Sequence, residues 1–225
     1  MIIAKADSKA KLVLEKLIQT LNDAQTLYYD GRKIGPKSSV TLQKYYLKND
    51  NGIIRIRVES SATVSGMNIT TTFIKNENGI WEVLADQVCE VSKVFTSDQL
   101  LGVFPFFRLF SCLQHPYVLD LSEENLGGTE CFIINGKLSN APSANAPDIA
   151  KEFTYTIGKM DGLLDSIHEM TFGKRLIDLE LEKLELNQVL NPALFELPDK
   201  PKIIASSLDQ YLDLRNQEMA KRLRE

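Results

Sequence analysis

Apolar and polar residues alternate with period two over most of this chain, the mark of strands that bury one face. The clearest run lies in residues 153–187. Phe153, Tyr155 and Ile157 share one face, with Thr154 and Thr156 on the other. Asp161-Gly162 supplies a tight turn, since Gly tolerates positive φ, and residues 163–170 read as the return strand. A third strand, 176–187, sets Ile177, Leu179 and Leu181 against Asp178, Glu180 and Glu182. At Lys183 the phase changes, and Leu184 and Leu186 carry the apolar face onward. A one-residue slip of this kind predicts a β-bulge, which bends a strand. The run stops at Pro192 and Pro198, neither of which can donate to a ladder.

The same pattern fills the first half. Ile54, Ile56 and Val58 alternate with Arg55, Arg57 and Glu59. Further strands are expected at 27–32, 40–48, around Met67 to Phe73, at 80–84 and at 88–91. Five Asn-Gly or Asp-Gly pairs, with glycines at 31, 52, 79, 136 and 162, read as hairpin signals. Successive hairpins imply an antiparallel meander rather than βαβ units. Strands resume at 117–121 and 129–134.

Three stretches depart from period two. In residues 8–25, Ala10, Leu14, Leu17, Leu21 and Ala24 recur at helical spacing, with Asp7 or Ser8 as the cap. Residues 96–113 are apolar with little relief. Phe104, Phe106, Phe107 and Phe110 crowd around Pro105, so the segment must be buried or meet an apolar ligand. Leu208, Leu212, Met219 and Leu223 give a partial stripe to a final helix, expected from Ser206 or Ser207 to about Arg224. Between these, residues 139–147 hold few large apolar side chains and read as a loop.

Composition narrows the function classes. The chain has 225 residues, enough for one domain with a real core. Its net charge is −4 and no basic block interleaves with aromatics, which argues against nucleic acid. No run approaches about 20 apolar residues, the length of a membrane-spanning helix. Cys89, Cys112 and Cys131 show no metal spacing; buried free thiols, or one disulfide with one free thiol, both fit. Ala4-Lys5-Ala6 has the form of a signal-peptide cleavage site, and chance gives such a tripeptide as readily.

Four motifs occur in an order that resembles the periplasmic carriers of outer-membrane lipoproteins. They are Asn78-Gly79-Ile80-Trp81, Phe104-Pro105-Phe106-Phe107-Arg108-Leu109, Gly158-Lys-Met-Asp-Gly162 and Asn191-Pro-Ala-Leu-Phe195-Glu-Leu-Pro198. The resemblance covers residues 8–204. It implies an α+β fold: a strongly curved antiparallel sheet, an open half-barrel of about ten strands, wrapped around the N-terminal helix. The 96–113 insertion would be its helical lid, and residues 1–204 the domain, with 205–225 as a helical extension. It also implies a periplasmic monomer, with the signal peptide absent from this sequence. Such a monomer takes up lipoprotein acyl chains or other lipid between membrane-bound donor and acceptor proteins, without chemistry or cofactor. Two departures stand out. The arginine that latches the lid in this family has no counterpart at Lys48-Asn49, and the last helix runs past the family's usual end.

Nothing in the residues looks catalytic. His115 and His168 are the only histidines and neither belongs to a hydrolase motif. Asp178, Glu180 and Glu182 fall on one strand face and read as a solvated surface. The sharpest candidate is an apolar cavity with Phe104, Phe106, Phe107 and Phe110 on the lid side. Trp81, Val83, Phe153 and Tyr155 would line the sheet side, if the faces bearing Trp81 and Phe153 are both the hollow one. An ordinary core plug explains the same residues. In a cavity, acyl burial would contribute roughly 0.8 kcal/mol per CH₂. Two alternatives remain: an envelope-sensing or protein-interaction module whose cavity its own side chains fill, and a lipid hydrolase built on a serine near one histidine.

Overall fold

The computed structural model describes residues 3–34, 39–64, 67–95, 116–139, 150–171 and 174–222. Helix α1 (Ile3–Asp23) is followed by strands β1 (Thr26–Ile34), β2 (Val40–Asp50), β3 (Ile53–Val64), β4 (Met67–Asn76), β5 (Gly79–Val83) and β6 (Val88–Glu90). After the 96–115 stretch come β7 (Tyr117–Leu126), β8 (Thr129–Leu138), β9 (Glu152–Gly158), β10 (Leu164–Thr171) and β11 (Lys174–Leu186). A 3-10 turn (Pro192–Phe195), β12 (Lys202–Ile204) and α2 (Leu208–Arg222) complete the described chain.

All twelve strands join one sheet in the order β12-β6-β5-β4-β3-β2-β1-β11-β10-β9-β8-β7. β12 and β7 are its two edges, so it does not close on itself. The expected antiparallel half-barrel of about ten strands, wrapped on one helix under a helical lid, is therefore corrected. Among the described residues the sheet is twelve-stranded and mixed, because β12 runs parallel to β6, and two helices accompany it. A parallel neighbour requires a crossover, and residues 187–201 provide one. The lid expected at 96–113 lies outside the described residues.

Two of the five hairpin signals are also corrected. Asn51-Gly52, Asn78-Gly79 and Asp161-Gly162 sit in turns, with glycine φ of 92°, 130° and 69°. Gly31 and Gly136 instead lie inside β1 and β8. The turn between β7 and β8 uses Gly127-Gly128, both at positive φ. The slip expected near Lys183 is present: Asp30 pairs with Lys183 but Gly31 with Leu181, so Glu182 is the extra residue. Gly31 fits because a Cβ there would meet the Glu180 carbonyl oxygen at 2.7 Å.

Side chains directly opposite in an antiparallel ladder share a face, so the registers sort the sheet into two. Tyr29, Tyr45, Val58, Phe73 and Glu82 follow one another on one face. Leu179, Ile167, Tyr155, Ile134 and Leu121 continue it beyond the bulge. This inner face shares a core with Ala10, Leu14, Leu17 and Ile18 of α1, which lies along β7. A second core at the β5–β6 end holds Ile80, Leu84, Cys89, Val91 and Ala205 with Tyr211 of α2. Ala205, Tyr211 and Leu214, within the stretch expected as a helical extension, pack in this second core.

Candidate functional site

The inner face is filled by the protein's own rings. Tyr29 and Tyr45 stack with centroids 5.6 Å apart, and the Tyr29 hydroxyl donates to Gln43 Oε1 at 2.6 Å. Burial pushes both phenols well above their ordinary range, so both stay neutral. On β9, beyond β11 and β10 from Tyr29, Phe153 stacks on Tyr155 at 4.3 Å, and Tyr117 meets Phe153 at 5.1 Å. The Tyr155 hydroxyl donates to the buried Glu169 carboxylate at 2.7 Å.

At the β5–β6 end α2 supplies the filling. Phe95 packs edge-on between Phe73 (6.0 Å) and Tyr211 (5.4 Å). Glu82, 1% exposed, lies 3.4 Å from Arg215 Nε. Glu218 Oε1 accepts the Ala85 amide at 2.9 Å. A buried carboxylate is tolerated only with such partners. Burial, then the Glu82 charge, raises the Tyr211 phenol.

Of the eight expected cavity residues, the four that are described lie on two different faces of the sheet. Phe153 and Tyr155 are on the inner face. Trp81 pairs with Ile74, Ile74 with Arg57 and Arg57 with Tyr46, which places Trp81 and its i+2 neighbour Val83 on the opposite, outer face. Phe104, Phe106, Phe107 and Phe110 lie outside the described residues. Trp81 is 7% exposed even so, and its indole N–H has no hydrogen-bond partner among the described residues.

Over β3 and β4, the outer face carries the segment 191–198. Asn191 Oδ1 accepts the Ala193 amide at 3.0 Å, and Pro192 opens the turn where its missing N–H costs nothing. Arg57 Nη1 donates to the Leu194 carbonyl (3.1 Å) and Asn76 Nδ2 to the Phe195 carbonyl (3.2 Å), which ties the turn across β3 and β4 with Phe195 buried. Lys200 Nζ caps the carbonyls of Leu84 and Ala85. Lys202 stands 5.7 Å over the Trp81 ring.

Two clefts flank this strap. One, about 350 Å³, is lined by Arg55, Asn76, Glu77, Phe195 and Lys202 among others. The other, about 380 Å³, lies among Arg57, Val83, Glu196 and Lys200. Arg55 is held by both oxygens of Glu77, through Nε at 3.0 Å and Nη2 at 2.9 Å. That bond depresses the Glu77 carboxyl and raises the Arg55 guanidinium. These walls offer hydrogen bonds to a polar chain and no apolar hollow. Sequence reading missed them because nothing local shows that 191–198 crosses β3 and β4.

His168 Nδ1 meets the Asp178 carboxylate across the β10–β11 ladder at 2.5 Å. No serine bonds to it among the described residues, and His115 lies outside them. Among the described residues no group of three His, Cys, Asp or Glu is placed to hold a metal ion. No described helix is long and apolar enough to cross a membrane. Cys89 and Cys131 are buried free thiols; Cys112 is outside the described residues.

No family model matches this chain, and no curated protein matches its sequence. Solved structures do. An uncharacterized conserved protein from Thermus thermophilus is similar at TM-score 0.52 and 14% identity, over 88% of this chain and 99% of that one. MucB, in the crystal structure of its complex with MucA(peri), gives TM-score 0.49 and 12% identity over 88% of this chain and 62% of that one. A DUF1329 family protein from Desulfovibrio piger ATCC 29098 gives TM-score 0.36 and 12% identity over 85% of this chain and 97% of its own. The Thermus likeness shows a shared fold; the other two scores are too low to carry more.

Proposed function

We propose that this chain is an extracytoplasmic protein-interaction module that performs no chemistry, a relative of the lipoprotein carriers whose motifs it resembles. One observation carries the reading. The face that a carrier would leave hollow is completed by Tyr29, Tyr45, Phe153 and Tyr155, and at its other end by Phe95 and Tyr211. Close-packed interiors leave no room for an acyl chain, and opening one would forfeit the contacts that hold these rings. Such a domain is left with its outer face and its sheet edges for recognition. The partner of MucB in its crystal structure is a protein, MucA(peri), and a protein partner suits the present chain on the packing argument alone.

The test is titration of the purified protein with a fluorescent fatty-acid probe. No saturable uptake is expected at micromolar probe. Saturable uptake that Phe106→Asp abolishes, with the fold intact by circular dichroism, would overturn this reading and restore the carrier.

A further inference from the structure

β7 ends the sheet opposite β12, and its ten residues pair on one side only, with β8. Every second residue of such an edge turns its N–H and C=O outward. Among the described residues, no backbone group outside β8 pairs with residues 118–126. Unpaired edges of this length template strand addition unless they are blunted. β7 carries neither proline nor lysine.

The side chains on its outer face set what fits. Val118, Asp120, Ser122, Glu124 and Leu126 alternate there. Val118 is 53% and Leu126 46% exposed. Asp120 and Glu124 are exposed and in no ion pair among the described residues. On the other face Glu123 is already taken: Lys9 (2.6 Å) and Lys159 (2.7 Å) hold it and depress its carboxyl to about 2. A second copy of this chain fits poorly. Antiparallel pairing of two β7 strands about Ser122 would put Asp120 opposite Glu124 twice, and like charges directly opposite repel.

We infer that the β7 edge takes a basic, extended segment of a partner protein as a thirteenth strand. Antiparallel addition is the favoured sense. The segment then reads apolar-x-basic-x-small-x-basic-x-apolar, with its apolar ends over Leu126 and Val118 and its two cations against Glu124 and Asp120. Main-chain bonds supply affinity and the two charges supply selectivity, the division of labour usual in strand addition. This rests on the interaction-module reading and names its partner chemistry.

The probe is the peptide Val-Thr-Lys-Thr-Ser-Thr-Lys-Thr-Val, followed by fluorescence anisotropy with the full chain. Saturable binding is expected, weakening as salt rises. The same peptide with glutamate for lysine should bind roughly tenfold more weakly, since each cross-strand charge pair changes sign. Asp120→Lys with Glu124→Lys in the protein should exchange the two preferences. N-methylation of one alternate set of peptide residues should abolish binding and of the other set leave it, because only one set faces β7. No saturable binding by the wild type, or equal binding of both methylated sets, overturns the inference. So does a charge-reversed protein that keeps its lysine preference while its circular dichroism is unchanged. Fatty-acid uptake in the same sample reports separately on the interaction-module reading: peptide failure without uptake removes only the β7 site.

Discussion

Gly136 stands inside β8 because the Phe153 ring occupies the space beside it. A Cβ at position 136 would collide with Cε1 and Cζ of that ring. The ring cannot swing aside, since Tyr155 stacks on one side at 4.3 Å and Tyr117 closes from another at 5.1 Å. Adding a methyl to so tight a contact is overpacking, with a cost of about 1–3 kcal/mol. Gly136→Ala is therefore expected to lower the urea midpoint with little change in m. Phe153→Leu in the same chain should recover part of the loss, because a shorter side chain vacates the site. A neutral Gly136→Ala would mean that the ring packs elsewhere. The Asn-Gly pair at 135–136 looked like a turn because sequence shows only that glycine is permissive. Here it is needed for its missing side chain.

At the scale of elements, α2 matters most. Its stripe is weak in the sequence, and only Tyr211 and Leu214 face the second core. Its anchors are as much polar: Arg215 to Glu82, Glu218 to the Ala85 amide and Lys221 to Asp86. Cys89 is fully buried in that core, and burial raises its thiol. Tyr211→Asp, in a Cys112→Ser background, is expected to make Cys89 react with an aromatic disulfide reagent under native conditions, while Cys131, buried on β8 and no part of that core, stays protected. Equal protection of Cys89 with and without Tyr211 would mean that the sheet alone shields it. Within strands the sequence was legible, because period two reports burial directly: β3, β5, β9 and β11 fall where alternation puts them. Between strands it was not. Trp81 and Phe153 each mark an apolar face, yet nothing in either strand says which side of the sheet that face joins. Their parity is set by the registers of the strands between, including a bulge at Glu182. The strap at 191–198 was readable as a stop, since prolines bracket it, but its seat on Arg57 and Asn76 is a long-range contact. β12 was missed because three residues carry no period.

Over the whole molecule, one seam joins the two ends of the sheet. β1 is the first strand in sequence, and its partners are β2 and β11, the latter 159 residues further on by the pairing of Leu27 with Leu186. On one side lie β2 to β6 and β12; on the other lie β10 to β7. Every ladder bond linking those halves runs through β1 and β11, and the inner core crosses at the same place through Leu27, Tyr29 and Leu179. Such an arrangement should unfold as one unit, because neither half retains its full inner core without the other. Gly31→Ala tests this at the narrowest point. Its Cβ would meet the Glu180 carbonyl oxygen at 2.7 Å, and a backbone atom held in a ladder cannot yield as a side-chain tip can. A loss of about 1–3 kcal/mol is expected. Trp81, the single tryptophan, reports on the β5 side, and hydrogen exchange at Ile134 reports on the β8 side. Both should lose the same free energy in Gly31→Ala. If tryptophan fluorescence kept its wild-type midpoint while exchange at Ile134 accelerated, the seam would be a contact between two independently folding sheets.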